Sequence, residues 1–404
     1  MQPRFFRFAL LLGISCFVAA CGPAGAGDRV IRRDSAGVTI VENTGMLPAD
    51  GGWIVAPEPL LAIGAADGDD AYQFFGVAGL HRFGDGRIGV VDAGSREVRI
   101  FDGDGAFLRS FGRQGGGPEE FEMPILAGAR GDTLLIIDRA NHRLSRVHPE
   151  TGFAASARVS DDVGGYLNPA GVFANGQVVF GGALDMRKAG ELRTGMNRGG
   201  TFYRSCNPDG SLATDFGDVP GAEFFIEDAT AQGPASRPVL VPFGKVAQAT
   251  ASADAFYYSD QDGFEIRAYE PSGTLARLIR LRRDPVAVTE QDRQHYIEDV
   301  VRMVGDESQA AGIRRQLGST PLPEFFPAHG ALMADRLAHL WVAEFDRPGA
   351  ATRAWLVFDP AGALVARVTL PPDFDPLEIG ADYVLGVARD NLGVEHVRMH
   401  RLDR

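Results

Sequence analysis

Residues 84–112 read GDGRIGVVDAGSREVRIFDGDGAFLRSFG, and residues 131–159 read GDTLLIIDRANHRLSRVHPETGFAASARV. Both stretches follow one plan. A short apolar run ends in an acid (Asp92, Asp138), and a polar loop leads into an alternating run (Val98 to Phe101, Leu144 to Val147). A tight turn closed by glycine (Gly105, Gly152) and a last short strand complete the unit. Asp92 and Asp138 stand 46 positions apart. A period in the forties built from four short strands is the spacing of a β-propeller blade, which buries its faces only against its neighbours.

Outward from these two units the turn signature recurs. It appears as Cys206-Asn207-Pro208-Asp209-Gly210, Tyr269-Glu270-Pro271-Ser272-Gly273 and Phe358-Asp359-Pro360-Ala361-Gly362. Proline presets one turn residue and glycine accepts positive φ, so these read as hairpin connections. Each has an upstream partner strand, at 88–92, 133–138, 178–181, 255–260 and 340–344. A further unit, 383–390 and 395–402, ends with the chain and lacks a last strand. An unassigned strand, Val38-Thr39-Ile40-Val41-Glu42, stands near the N-terminus. The expectation is an all-β, six-bladed propeller over 30–404 in which this N-terminal strand completes the last blade and leaves no open edge.

The expected connections differ by face. On one face they are short turns. On the other lie the long insertions, 182–200, 217–245 and 282–327, and such one-sided insertions mark a working face. The last of them, expected between blades four and five, carries the helical patterns. Thr289 and Asp292 approximate a capping box, and Tyr296, Val300 and Met303 share one helical face, with a second helix over 306–317. This helical hairpin reads equally as a lid and as packed decoration.

Residues 1–20 form a leader, with Arg4 and Arg7 before an apolar stretch too short to span a membrane. Val18-Ala19-Ala20-Cys21 has the pattern of a bacterial lipobox, which makes Cys21 the lipidated residue and 21–29 a flexible tether. Gly22 after that cysteine favours the periplasmic side of the outer membrane. Cys16 leaves with the leader, so Cys206 has no intramolecular partner and reads as a buried thiol. Net charge is −13, and loss of Arg4 and Arg7 would leave about −15, a surface that repels nucleic acid.

The run Phe111-Gly112-Arg113-Gln114-Gly115-Gly116-Gly117-Pro118-Glu119-Glu120-Phe121 resembles the FGRxGxGPGEF loop of a bacterial envelope group among the NHL-like six-bladed β-propellers. Leu322-Pro323 to Pro327, Gly386-Val387 to Asp390 and Gly393 to Val397 resemble other parts of that group, and the resemblance spans roughly 30–402. Glu119 departs from it, because the group has glycine there. The resemblance implies a binding or scaffold module; some related propellers are metal-dependent lactonases or lyases.

The chemistry-bearing residues are few. Gly115 to Gly117 lack the Lys-Ser/Thr of a phosphate loop and read as a crossover turn. Arg113, His142 and Arg143 share the insertion-bearing face and are candidates for binding an anionic group. The acids that end the second strands (Asp92, Asp138, Asp260, Glu344, Asp390) read first as turn caps. Asp260, Glu344 and Asp390 would be the ligands if a divalent cation, Ca or Zn, were held. His396 and His400 share a strand face without a third zinc ligand at good spacing. No nucleophile elbow or zinc-protease motif is present.

The leading expectation is therefore a lipid-anchored envelope protein, monomeric and without a cofactor. It would bind an envelope protein, a small molecule or a glycan through the insertion-bearing face. The alternatives are a metal-dependent lactonase-like hydrolase or lyase, and an accessory lipoprotein taking sugar or peptide on Tyr72, Phe74 and Phe75.

Overall fold

Strand follows strand from Val30 to the C-terminus in the computed structural model, which describes residues 30–45, 47, 52–184, 192–230, 237–304, 306–349 and 353–404. The leader, Cys21 and the tether lie outside the described residues. The chain opens with β1 (Val30–Ser35), β2 (Val38–Asn43) and β3 (Ile54–Ile63). Next come β4 (Val77–Arg82), β5 (Ile88–Asp92), β6 (Glu97–Phe101) and β7 (Phe107–Phe111), then β8 (Pro124–Arg130), β9 (Thr133–Asp138), β10 (Arg143–His148) and β11 (Gly152–Arg158). β12 (Asn168–Val172), β13 (Val178–Ala183), β14 (Gly195–Cys206), β15 (Leu212–Ile226) and β16 (Val239–Leu240) follow, and then β17 (Gln248–Ala251), β18 (Phe256–Ser259), β19 (Glu265–Tyr269) and β20 (Leu275–Leu281). Two helices, α1 (Glu290–Val304) and α2 (Glu307–Ser319), precede β21 (Leu332–Ala334), β22 (Leu340–Ala343), β23 (Arg353–Phe358) and β24 (Leu364–Leu370). The last strands are β25 (Phe374–Ile379), β26 (Tyr383–Arg389) and β27 (Glu395–Asp403).

Residues 84–112 form β5–β7 and residues 131–159 form β9–β11; with β4 and β8 before them, each set is a four-stranded antiparallel meander. Their second strands are buried on both faces because each sheet is sandwiched between two others. Ile88, Val90 and Phe101 pack with Leu385 and Val397 of the last sheet, whereas Val98 and Ile100 pack with Leu134 and Ile136 of the next. The first and last sheets thus touch, and the ring is closed by many small cores. Asp102 shows why the hairpin signature works: its carboxylate accepts from the backbone N–H of Asp104 (3.0 Å) and Ala106 (2.8 Å), and Gly105 takes φ 88°.

The propeller architecture stands, but the expected set of six discrete blades is corrected by the hydrogen bonding. Four sheets are discrete four-stranded blades: β4–β7, β8–β11, β21–β24, and β25–β27 with β3. The other strands run into one eleven-stranded sheet, ordered β1-β2-β20-β19-β18-β17-β12-β13-β14-β15-β16. Its two meanders are joined where β12 and β17 pair in parallel at Gly171 and Ala251. The reason is steric. Gly171 has φ 142°, and a Cβ there would lie 2.6 Å from the Ala251 carbonyl oxygen, so only glycine lets the two inner strands approach this closely.

The closure is corrected as well. β2, the strand expected to complete the last blade, instead pairs in parallel with β20. The closing strand is β3, which pairs antiparallel with β27 at the sheet edge. Its sequence, IVAPEPLLAI, hides a strand behind two prolines, which an edge strand with bulges tolerates. Two of the expected insertions are also partly strand. β14 begins at Gly195 and β15 runs to Ile226, with register shifts near Arg198/Gly200 that break the alternation a sequence reading depends on.

The helices fall between β20 and β21. Thr289 and Asp292 form the reciprocal cap: Asp292 Oδ2 accepts from the Thr289 backbone N–H (2.8 Å) and hydroxyl (2.6 Å), and the Asp292 N–H donates to Thr289 Oγ1 (3.2 Å). Arg293 of α1 donates to the carbonyls of Leu317 (2.8 Å) and Thr320 (2.5 Å) at the end of α2, which ties the pair together. Ile297 is buried, but Met303 lies exposed, so the apolar face of α1 is only partly covered.

Candidate functional site

The long loops do gather on one face, and a pocket of about 810 Å³ opens there at the foot of the helical insertion. Its walls are the two stems of that insertion. They run side by side: the Phe326 N–H donates to the Val286 carbonyl (2.9 Å), and Val288 N–H to Glu324 O (3.1 Å). The other walls come from the loops after β18 and β22, from Met196 and Glu223 of β14 and β15, from Lys245, and from β23 and β24 through Arg353 and Arg367.

Aromatic rings line the pocket. Phe326 lies 5.5 Å from Phe345 and 5.0 Å from Phe243 between ring centroids, and Phe243 in turn meets Tyr296 of α1 at 5.2 Å. The helices are thus anchored on the pocket's aromatic wall.

Charged side chains surround this apolar lining. Glu344 accepts from Arg283 (2.7 Å) and Arg367 (2.8 Å). Asp262 accepts from Lys245 (2.6 Å) and Arg198 (3.1 Å), and Arg353 pairs with Asp346 (3.2 Å). Burial pushes the Glu344 carboxyl up, but the two guanidiniums outweigh it and hold the group below the ordinary carboxylate range. Lys245 and Arg198 do the same for Asp262.

Behind this wall sits a residue the sequence reading missed. His329 is fully buried. Its Nδ1 lies 2.7 Å from the Gly330 carbonyl oxygen and its Nε2 2.8 Å from Ser259 Oγ. A carbonyl can only accept, so Nδ1 carries the proton and the Ser259 hydroxyl donates to Nε2. Desolvation pushes the imidazole pKa down to about 4. Both partners have no exposed surface, so this Ser–His pair is a positioning element beneath the pocket. Nothing in Pro327-Ala328-His329-Gly330 signals it, because its partner lies 70 positions away.

The predicted site residues divide among three places. Glu344 lines the pocket, and Asp260 lies beside it, paired with Arg267 (3.1 Å) while its carbonyl accepts from Arg198 (2.5 Å). Asp390 stands elsewhere and accepts from the N–H groups of Leu392 (2.8 Å) and Val394 (3.0 Å). Among the described residues no three His, Cys, Asp or Glu side chains come together as a ligand set for a metal ion.

Arg113, His142 and Arg143 belong to the glycine-rich crossover loop and the turn beside it. Glu120 organises that loop: its carboxylate accepts from the Gly117 N–H (2.8 Å) and from Arg113 Nε (3.0 Å). Arg143 donates to the carbonyls of Gly116 (2.8 Å) and Glu120, so its guanidinium is already committed to the loop. Arg113 remains 79% exposed. Glu119 needs no left-handed backbone here. His142 takes φ 49° in the turn. His400 is buried with Nδ1 2.9 Å from the Ala56 carbonyl, whereas His396 reaches only Asp390, at 3.5 Å.

A second cavity, about 970 Å³, opens at the short-turn end of the ring. The inner strands β4, β8, β12, β17, β21 and β25 line it, with alanine and glycine frequent among their residues. A hydrogen-bonded cluster stands on that wall. Glu378 accepts from His81 Nδ1 (2.7 Å), the Tyr383 hydroxyl (2.6 Å) and the Arg82 N–H (3.0 Å), and Arg336 Nη2 lies 2.9 Å from His81 Nε2. This is the face whose connections are short turns.

No family model and no curated protein matches the chain. Among solved structures it is similar to an exported protein of Bacteroides fragilis, at 10% identity and TM-score 0.48, over 90% of this chain and 99% of that one. It is also similar to a DUF4221 family member from Bacteroides vulgatus, at 9% identity and TM-score 0.48, over 88% and 99%. A calcium-binding protein, regucalcin from Agrobacterium tumefaciens, aligns at 15% identity and TM-score 0.41, over 87% and 96%. Likenesses this distant assign no activity. No helix of the described residues is long and apolar enough to cross a membrane.

Proposed function

We propose that the chain is a binding module of the bacterial envelope, held to a membrane by a lipid on Cys21, that takes its ligand in the pocket at the foot of the helical insertion. The observation that carries this reading is the pocket's make-up: about 810 Å³ of concave space with aromatic walls and a surround of fixed charges of both signs. Such a cavity buries an apolar group and orients it by a few polar contacts. The side chains around it are already tied by ion pairs, so little ordering remains to be done on binding. A ligand with an apolar core and a polar periphery fits, whether an envelope protein segment, a small molecule or a glycan. The exposed Arg113 and the neighbouring His142 extend the same face.

The metal-dependent alternative would require Asp260, Glu344 and Asp390 to share one ion, and each is engaged by different partners. The reading is tested by capture of the envelope ligand on the purified protein. Phe345→Ser and Arg353→Glu should each abolish capture while leaving the thermal midpoint within a few degrees. Capture unchanged by both substitutions would refute the pocket.

A further inference from the structure

The cavity at the short-turn end carries a second inference, independent of the first. Alanine and glycine make up much of its wall, and the charged residues on it are Arg130, Asp132, Asp335, Arg336 and Glu378. That carboxylate is buried and receives three donors, among them His81 Nδ1 at 2.7 Å and the Tyr383 hydroxyl at 2.6 Å. His81 Nδ1 therefore holds the proton, and Arg336 Nη2 lies against the same ring, 2.9 Å from Nε2 and 3.1 Å from Nδ1. Arg336 Nη1 donates to the Tyr383 oxygen at 3.1 Å.

A guanidinium has five N–H donors, and these contacts, all made through Nη1 and Nη2, do not use every one of them. Its backbone is fixed as well, because the Arg336 N–H donates to the Ile379 carbonyl at 3.0 Å. The Arg336 side chain is 37% exposed, so the free edge faces open space.

The charges point the same way. Glu378 is offset by Arg336 at 3.6 Å, and a second guanidinium, that of Arg82, lies 5.0 Å from the Tyr383 ring centre. Asp335, on the same rim, is already neutralised by Arg404 at 2.8 Å. The cluster around Tyr383 thus holds two guanidiniums against one carboxylate, in a chain of net charge −13. Beside it, Leu377 and Met333 give the lining an apolar patch.

We propose that this mouth of the channel binds a small organic monocarboxylate, its carboxylate on the free edge of Arg336 and its apolar body against Leu377 and Met333. Planar carboxylate recognition is what a fixed guanidinium does best.

The test uses the purified protein with acetate, lactate and benzoate as probes, each against its neutral amide, followed by the imidazole NMR signals of His81. The carboxylates should shift those signals saturably, benzoate most tightly, and the amides should not. Arg336→Gln should weaken benzoate at least tenfold. Because that substitution also touches the cluster, Ala174→Trp provides the second arm. It fills the cavity away from Arg336, and it should remove benzoate binding while the ligand-free His81 signals stay as they were. The proposal is overturned if no carboxylate gives a saturable shift, if amides match their acids, or if both variants bind benzoate as before. In any of these cases the cluster only fastens the first sheet to the last.

Discussion

The acids that end the second strands occupy one position in the repeat, yet they do different work in two regions. In the first two blades Asp92 and Asp138 have no exposed surface. Asp138 accepts from the backbone N–H groups of Glu122 (2.9 Å), Met123 (3.1 Å) and Ala140 (3.2 Å) and from the Asn141 side chain (2.7 Å). Asp92 accepts in the same way from Phe75, Gly94 and Ser95. Each fastens the crossover from the preceding strand to its own loop. Under the helical insertion, Asp260 accepts from Arg267 (3.1 Å) beside a single backbone N–H, that of Asp262 (3.1 Å), and Glu344 accepts from two arginines at the edge of a pocket. A repeat position thus serves as a buried cap with several backbone donors in the first two blades, and beside the insertion it trades most of those donors for arginines.

The sharpest way to break this comparison is Asp138→Ala. It strands several buried donors, and a loss of about 3–5 kcal/mol in urea unfolding is expected. A loss under about 1 kcal/mol would show that the caps are dispensable.

Next in size is the pH response of His329. Its folded pKa of about 4 lies below the ordinary 6.5, so the unfolded chain binds more protons between those values. Stability is therefore lost as pH falls through that window, on the order of 3 kcal/mol, and no further below it. His329→Gln should flatten the dependence of the urea midpoint between pH 7 and 4; an unchanged slope would place the titration elsewhere.

Glu344→Gln should cost less, roughly 0.5–1 kcal/mol, because the carboxylate is partly solvated and its two ion pairs are screened. Its folded pKa is lowered, so its contribution is present above the ordinary carboxylate value and disappears as pH falls through the lowered one. Glu344→Gln should accordingly narrow the stability difference from the parent below about pH 4.5. Smallest of all, Asp390→Asn on the exposed β26–β27 loop should leave the melting temperature unchanged, and a clear drop would extend the capping role to the last sheet.

The architecture was legible because its signals are local. The Asp-turn-Gly hairpins, the buried second strands and the Thr289–Asp292 cap each rest on residues a few positions apart. What was hidden depends on distant partners. The closing strand was masked by Pro57 and Pro59, and the merger of sheets depends on one glycine, Gly171, meeting a strand 80 positions on. The site was only half visible. Glu344 and Asp260 were singled out, for a metal they are not gathered to hold. The aromatic wall of Phe326 and Phe345, the Ser259–His329 pair and the Glu378 cluster are assembled across the ring, where spacing carries no signal.

The central claim is that ligand enters under the helical insertion while the repeat acids serve the scaffold. Site-specific photo-crosslinking in intact cells tests it most directly, with benzoylphenylalanine at Phe325, which lines the pocket and is 37% exposed, and at Leu212 on an outer strand, 38% exposed. The account predicts one discrete adduct from position 325 that Arg353→Glu removes, and none from position 212. Equal labelling from both positions, or an adduct indifferent to Arg353→Glu, would contradict it.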